Sequence, residues 1–201
     1  MKIRRDGCLQ INVPFATPKR EIEAFIAKKY TWLKQAIAQQ AARHKNTVKE
    51  YKYGEIHPYL GQKYELQLIT AARNMVLLGD KSIKLFHRSN SNIKHQLKQW
   101  YKQQATAYLT TRSHELQKQH HFPKIKAIKF RFMKARWGSC SNDAVITYNI
   151  HLIKAPTELI DYVIIHELCH LIHPNHGRGF YLLQSTINPN WRKHKSLLNH
   201  F

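Results

Sequence analysis

Two histidines and a glutamate in the C-terminal third of the chain have the spacing of a metal site. Residues 166–170 read His-Glu-Leu-Cys-His, so His166 and His170 are four positions apart and share one face of a helix. Two imidazoles at this spacing can bind one Zn²⁺. Glu167 is rotated by about 100° from His166, and it can reach a water molecule held on the metal. Because zinc lowers the pKa of that water, Glu167 is predicted to take its proton as the general base.

The surroundings of this motif favour a metal site over a chance pattern. The chain has 14 histidines among 201 residues, so a pair at this spacing can arise by chance. Glu167, however, lies in an otherwise apolar run, and a buried carboxylate without a partner is costly in free energy. A similar string, His114-Glu115-Leu116, has Lys118 where the second histidine is needed. We interpret that string as a solvated helix face.

A catalytic zinc usually takes three protein ligands, and two further histidines follow the motif. His173 lies seven residues after His166, about 10 Å further along a straight helix, which is too far for one ion with bonds of about 2 Å. His176 follows Pro174, where the chain must turn, so it can return to the metal. We therefore favour His176, with a distant Asp or Glu as the alternative. Imidazole ligands suit zinc, while Co²⁺ and Mn²⁺ stay open.

The apolar periodicity predicts the helices and strands that position these residues. The N-terminal elements are a short strand pair around Asp6-Gly7, a helix from Thr17-Pro18 to about Arg43, and a β-rich segment over residues 51–88 with a hairpin at Gly79-Asp80. The C-terminal elements are a helix over residues 92–119, strands over 124–133 and 144–150, the motif helix from Pro156 to about Ile172, and helices over 178–199 with a break at Pro189.

This order of elements predicts an α+β fold. We expect one domain over residues 1–201, with a β-rich N-terminal part at about 1–90 and a helical catalytic part at about 91–201. No Pro-, Gly- or Ser-rich linker separates the two parts. The length is sufficient to bury a sizeable apolar core.

The composition limits the compartment and suggests partners. The chain has 33 Lys and Arg against 12 Asp and Glu, a formal charge of +21, which attracts anionic nucleotides and nucleic acid. A nucleic-acid-associated role with a structural zinc is therefore an alternative of a different class. Three cysteines are too few for a disulfide scaffold, and no apolar run has the length of a membrane span. We expect a cytoplasmic protein without a membrane partner; the sequence does not indicate its oligomeric state.

Other reactive side chains near the motif receive structural interpretations. Ser139 or Cys140 could act as a nucleophile, but a metal-activated water already supplies one. Residues 137–140 are therefore interpreted as a turn that enters a strand. Cys169 points away from the histidine face and is assigned to the core. Three residues are candidates for stabilising negative charge in a transition state: Arg136, Tyr148 and Arg178.

Several strings of this sequence resemble the YgjP-like metallopeptidase family. The specific ones are RWGSC (136–140), YNIHLIKAP (148–156), DYVIIHELCHLIHPNHGRGF (161–180) and NPNW (188–191), and weaker ones are RRDG (4–7), KKYTWL (28–33) and YLGQKYEL (59–66). The resemblance thus extends over nearly the whole chain. It implies a zincin-like, minimal gluzincin-type catalytic domain. It also implies His166, His170 and His176 as the metal ligands and Glu167 as the base.

The resemblance implies a zinc-dependent hydrolase, and a metallopeptidase with peptide or protein substrates is the leading interpretation. A metal-dependent nucleotide pyrophosphatase that acts on nucleoside triphosphates is the alternative, and the excess of positive charge favours it. In zincin-type folds, a strand beside the active-site helix can pair with an extended peptide. The segment 144–150 is our candidate for that strand.

Overall fold

The computed structural model describes residues 2–3, 9–35, 50–199 and 201. Two compact units are distinguished, Met1–Glu50 and Tyr51–Phe201, and each is described by itself. The single domain over residues 1–201, divided near residue 90, stays a prediction. Within the described ranges, no helix has both the length and the apolar character needed to cross a membrane.

The first unit contains the predicted strand pair and helix. Strands β1 (Lys2–Ile3) and β2 (Leu9–Gln10) are antiparallel, and the intervening Asp6-Gly7 lies outside the described residues. Helix α1 (Lys19–Lys28) has Pro18 at its N-cap, one residue later than predicted. Residues 30–35 are again helical, and the predicted continuation to Arg43 lies outside the described residues.

The second unit begins with a four-stranded sheet, as the β-rich pattern of residues 51–88 predicted. The strands β3 to β6 have the spatial order β3-β4-β6-β5, in which β4 and β6 are parallel and the other pairs antiparallel. The β5–β6 hairpin is closed by a hydrogen bond from the Gly79 N–H to the Ser82 carbonyl at 2.8 Å. The strands are β3 (Ile56–Tyr59), β4 (Gln62–Thr70), β5 (Met75–Leu78) and β6 (Ser82–His87).

A long helix, α2 (Ile93–Gln119), follows this sheet and confirms the helix predicted over residues 92–119. It begins at Asn92, whose side chain accepts a hydrogen bond from the His95 N–H at 2.9 Å, the usual function of an N-cap residue. Its buried stripe extends from Leu97 to Leu116 and packs into the apolar core of the unit.

A three-stranded sheet comes next and departs from the prediction. Its strands are β7 (Ala127–Arg131), β8 (Gly138–Cys140) and β9 (Val145–Asn149), in the order β7-β9-β8. The prediction of a turn over residues 137–140 was wrong for three of its residues, because they pair with β9. A three-residue strand is too short to show the alternation of apolar and polar residues by which strands are predicted, so it is recognised only from its pairing with another strand.

The prediction that 144–150 holds an extended peptide was also wrong. Strand β9 is the centre of the sheet, parallel to β7 on one side and antiparallel to β8 on the other. Both of its edges are therefore occupied. A peptide can pair only with an outer strand, and β8 is the outer strand that packs against the motif helix.

The motif helix, α3 (Thr157–Cys169), begins after Pro156 and ends three residues before the predicted Ile172. At its end the chain tightens, since the N–H groups of Leu171 and Ile172 donate only three residues back, to the carbonyls of Leu168 and Cys169 at 3.0 and 3.1 Å. Helices α4 (Arg178–Ile187) and α5 (Trp191–Asn199) confirm the predicted break at Pro189.

The position of α3 explains its composition. The helix packs against α2, α4, α5 and β8, and nine of its thirteen residues are buried. An amphipathic helix would leave one face in water, whereas α3 is apolar on nearly all sides because it is enclosed on nearly all sides. The α+β class is confirmed, and the arrangement places the motif glutamate against β8 and the motif histidines beside α4.

Candidate metal centre

Three histidine rings converge at the C-terminal end of α3. His166, His170 and His176 each offer one nitrogen, and the three nitrogens lie within 4.8 Å of one another. The Nε2 atoms of His166 and His176 are 3.1 Å apart. Two nitrogens bound to one tetrahedral zinc at about 2 Å lie about 3.3 Å apart. The observed spacing is therefore close to that of a metal site.

Hydrogen bonds orient two of these rings so that Nε2 faces the shared point. The Nδ1 atom of His166 is 3.3 Å from Oε1 of Gln184, and the Nδ1 atom of His170 is 3.1 Å from the carbonyl oxygen of His173. An oxygen acceptor at Nδ1 holds the proton there and leaves Nε2 as the free ligand atom. Gln184 is fully buried, so its orientation of His166 is rigid.

A buried phenylalanine packs against all three rings. The ring of Phe180 is completely buried, and its centroid is 5.0, 4.7 and 4.6 Å from those of His166, His170 and His176. It lies in the first turns of α4, one helical turn before Gln184. Helix α4 therefore supplies the aromatic ring that supports the cluster and the side chain that orients His166.

His173 does not join the cluster through its side chain. Its backbone carbonyl is the oxygen that faces Nδ1 of His170, and its ring lies against Gly179, where a Cβ would be 2.9 Å from the ring carbon Cε1. The turn after α3 thus brings His176 to the pair and directs the ring of His173 elsewhere, as the reasoning on helix rise anticipated.

Burial favours the neutral, metal-binding form of two imidazoles of the cluster, those of His166 and His176. Burial, together with the neighbouring His170 and His176, lowers the pKa of His166 to about 4, and burial lowers the pKa of His176 as well. A neutral imidazole is the ligand form, so no proton has to leave these two rings at neutral pH. His176 is also the exposed member of the three, which leaves the cluster open on that side.

Glu167 lies on the face of α3 that meets β8. It is 5% exposed, and burial raises the pKa of its carboxyl to about 8, an effect that the positive charge of Arg136 partly offsets. Its side chain touches the backbone of Gly138, where a Cβ would be 2.5 Å from Oε1 of Glu167. Only a glycine leaves room for the carboxylate at this point of the strand.

The remaining residues singled out from the sequence differ in their exposure and in their contacts. Tyr148 is fully buried and its hydroxyl is paired with that of Ser113 at 3.0 Å, so it was wrongly included among the groups that could stabilise charge. Arg136 and Arg178 are exposed, and Arg136 is the one whose charge acts on Glu167. Cys169 is fully buried, as predicted.

Cys140 is a poor nucleophile. Burial, with the nearby charge of Glu167, raises the pKa of its thiol to about 11. The reactive thiolate is therefore scarce at neutral pH. This agrees with the expectation that Cys140 is not the nucleophile, although the residue lies in a strand and not in the predicted turn.

The buried side-chain amide of Asn149, at the end of strand β9, forms hydrogen bonds with the loop that connects β7 to β8. The side-chain NH₂ of Asn149 donates to the carbonyls of Met133 and Arg136, both at 3.0 Å. Its side-chain oxygen accepts from the N–H groups of Met133 and His151, at 3.3 and 3.1 Å. Asn149 thereby fixes the segment that carries Arg136 and leads into Gly138.

Sequence reasoning missed Gln184, Phe180, Gly138 and Asn149. The residues Phe180 and Gln184 are four apart on a helix with one apolar face, a signal that could have placed them towards the histidines. Nothing in the sequence alone indicates that Gly138 meets Glu167, because the two lie on separate elements.

The donor set fits a divalent metal ion. Three imidazole nitrogens converge, two are oriented by acceptors on the opposite ring nitrogen, and a buried carboxylate follows the first histidine. These features are typical of a metal-dependent hydrolase. A family model for the YgjP-like metallopeptidase domain matches residues 1–201, and the chain belongs to that family.

Among solved structures, the chain is similar to the metallopeptidase zymogen of Pyrococcus abyssi abylysin. The two are 17% identical, with a TM-score of 0.42, and the match covers 45% of this chain and 90% of that one. No match is found among curated proteins. The family indicates a peptide substrate and gives no support to a nucleotide or a nucleic acid as partner.

Proposed function

We propose that this protein is a zinc-dependent metallopeptidase, with His166, His170 and His176 as the ligands and Glu167 as the general base. The observation that carries the proposal is the convergence of three imidazole nitrogens within 4.8 Å beside a buried carboxylate. Imidazole nitrogen suits zinc among the common divalent ions. Three protein ligands with one side open are typical of a catalytic site rather than a structural one.

Peptide hydrolysis assigns one proton transfer to Glu167. When bound, the metal ion supplies a Lewis acid that polarises the substrate carbonyl and makes a water molecule nucleophilic at neutral pH. Glu167 takes a proton from the attacking water, whose oxygen forms a bond to the carbonyl carbon. As the carbon–nitrogen bond breaks, Glu167 passes this proton to the leaving amine, so the carboxylate is regenerated.

The outer edge of β8 is the proposed binding strand for the peptide. The Asn149 N–H donates to the Trp137 carbonyl at 2.8 Å, and the Ser141 N–H donates to the Val145 carbonyl at 3.0 Å. Because hydrogen-bonding direction alternates along an antiparallel strand, the backbone groups of Gly138 and Cys140 face the open edge. An extended peptide can pair with them at the strand that meets Glu167.

The first experiment measures metal content and peptide cleavage together. Purified wild-type protein is compared with His176→Ala, which removes an exposed ligand, and with the His166→Ala, His170→Ala double variant. His114→Ala is the matched control, since this exposed histidine belongs to the incomplete motif on α2. We expect about one zinc per chain in wild type and control, and much less in the ligand variants.

The second experiment separates chemistry from metal binding. Glu167→Gln should retain zinc while losing cleavage of unfolded proteins and peptides by a factor of 100 or more, on the order of the contribution of a general base. Equal zinc content in wild type and the double variant would overturn the metal site. Cleavage unchanged in Glu167→Gln would overturn the assignment of the base.

A cytoplasmic location stays a prediction from the cysteine count.

A further inference from the structure

A cavity of about 290 Å³ opens beside the histidine cluster, and the mechanism above does not use it. His166 and His176 form the side that adjoins the candidate metal centre. The other sides come from four aromatic residues, including Trp137, Tyr181 and Trp191, from Leu198 and Lys195, and from two amides, one of which is the Gln184 that faces His166.

The aromatic walls are held in place by packing and hydrogen bonding. The rings of Tyr181 and Trp191 are stacked, with centroids 5.2 Å apart and planes 20° from parallel. Trp191 is 7% exposed, and its indole N–H donates to the hydroxyl of Ser185 at 2.9 Å. A cavity with flat aromatic walls that exists before binding suits a planar aromatic side chain, because little conformational entropy is lost.

The cavity also has a positive charge and no opposing one. Lys195 is exposed, and its ammonium group is 6.0 Å from the centroid of the Trp191 ring. None of the described residues that line the cavity carries a carboxylate. A substrate group next to Lys195 is therefore favoured if it is negative and disfavoured if it is positive.

The direction of β8 decides which part of a peptide reaches this cavity. The strand begins at Gly138, and Trp137, which lines the cavity, immediately precedes it. A peptide that pairs antiparallel with β8 runs towards Trp137 in its own C-terminal direction. The residue that reaches the cavity thus lies after the bond that is cut near Glu167.

We propose that this cavity binds the aromatic side chain of the substrate residue that follows the scissile bond, and that Lys195 selects a carboxylate adjacent to that residue. The carboxylate comes from an acidic neighbour or from the C-terminus of the peptide itself. The inference rests on the proposed peptidase function, which it deepens by naming the substrate class.

The test uses zinc-loaded protein and a set of peptides whose cleavage products are quantified by chromatography. The residue after the cleaved bond is Phe or Ala, and the next residue is Glu or Lys; a fifth peptide ends at Phe with a free carboxylate, and a sixth ends at Phe with an amide. We expect kcat/KM about tenfold or more higher with Phe than with Ala. A neighbouring Glu should raise kcat/KM about fivefold over Lys, as for a partly exposed ion pair.

Two charge reversals on α5 provide the matched comparison. Lys195→Glu should invert the Glu-over-Lys preference, whereas Lys193→Glu, on the same helix and outside the cavity, should leave it unchanged. If only the free-carboxylate peptide responds to Lys195→Glu, the terminal carboxylate is the source of the charge. If the Glu peptide also responds, an acidic neighbour suffices.

A binding measurement separates failure of this inference from failure of the proposed function. Zinc-loaded Glu167→Gln protein is titrated by calorimetry with phenylalanine and its amide, and with C-terminally amidated Phe-Glu and Phe-Lys, before and after the Lys195→Glu change. Cleavage of all peptides without preference, or equal affinity within both pairs, overturns the inference and leaves the peptidase function intact. Absence of cleavage with selective dipeptide binding overturns the function and leaves the pocket assignment standing.

Discussion

The carboxylate of Glu167 lies directly against the backbone of Gly138, so closely that a Cβ on this glycine would be 2.5 Å from Oε1 and 2.8 Å from Cγ. The contact joins the motif helix α3 to the outer strand β8. The residue that we propose as the general base and the strand that we propose to bind the peptide are therefore positioned by one contact. A substitution that changes this contact should therefore alter the positions of both Glu167 and β8.

The first prediction concerns this contact. Gly138→Ala forces either the Glu167 side chain or strand β8 to shift, because both are packed. We expect a stability loss of about 1–3 kcal/mol, as for other overpacked sites, and a loss of peptidase activity larger than the stability change explains. The measurements are urea unfolding and kcat/KM at a temperature where the variant is fully folded.

Gly177→Ala is the control for that variant. A Cβ at Gly177 meets no atom within 4 Å, and its φ of −85° is open to alanine. It lies next to His176, so it tests whether any added methyl near the cluster has the same effect. If the two variants lose activity equally, the contact between Gly138 and Glu167 has no special role.

The second prediction concerns Gln184, the residue that faces the outer nitrogen of His166. Gln184→Leu removes the acceptor while filling similar space, so His166 loses the group that fixes its tautomer and orientation. Loss of such a partner typically lowers metal affinity by about 10–100-fold. Zinc affinity is measured by competition with a chromogenic chelator.

Gln184→Glu distinguishes orientation from packing. The carboxylate keeps an acceptor for Nδ1 of His166, and zinc affinity should return close to the wild-type value. Gln103→Leu, at an exposed position on α2, should change nothing. If Gln184→Leu binds zinc as wild type does, the hydrogen bond does not orient a ligand.

The helices could be predicted from the sequence because their patterns are local. The 27 residues of α2 have an apolar stripe of helical period and an asparagine cap at Asn92. The motif helix has Pro156 before it and a continuous apolar run. The placement of His176 followed from the rise of a helix and the turn that Pro174 requires.

The strand next to the site could not be predicted in the same way. Residues 138–140 form a strand only because they pair with β9, which begins five residues further along the chain. Asn149 holds the preceding loop through three backbone groups at positions 133 and 136. These contacts are tertiary, and an asparagine or a glycine in a sequence does not reveal its partner.

The third prediction concerns Asn149. Asn149→Ala leaves the carbonyls of Met133 and Arg136 without their donor, in a site where the asparagine is 4% exposed. We expect a loss of about 2–4 kcal/mol in the free energy of unfolding, with faster proteolysis between residues 132 and 137. Asn142→Ala, exposed in the β8–β9 turn, is the control. A loss no greater than that of the control would contradict the role given to Asn149.

The fourth prediction is a pH dependence of stability that originates at His151, away from the metal centre. Burial, with the charges of Lys154 and Lys98, lowers the pKa of His151 from 6.5 to about 4. Between these values the unfolded chain binds a proton that the folded protein does not. Stability should therefore fall as pH decreases from about 6.5 to about 4, because the linkage favours the state that binds more protons.

His151→Gln removes this titration, since the amide is neutral throughout. Relative to wild type, the variant should gain on the order of 1 kcal/mol between pH 7 and pH 4, a modest amount because the ring is partly exposed. Urea unfolding of metal-free protein gives the difference, in which the titration of the other histidines cancels. Lys154→Met provides a direct check, because removing that charge should raise the pKa of His151 in an NMR titration. An unchanged pKa in Lys154→Met, together with parallel pH profiles for wild type and His151→Gln, would show that His151 is not the source of the acid sensitivity.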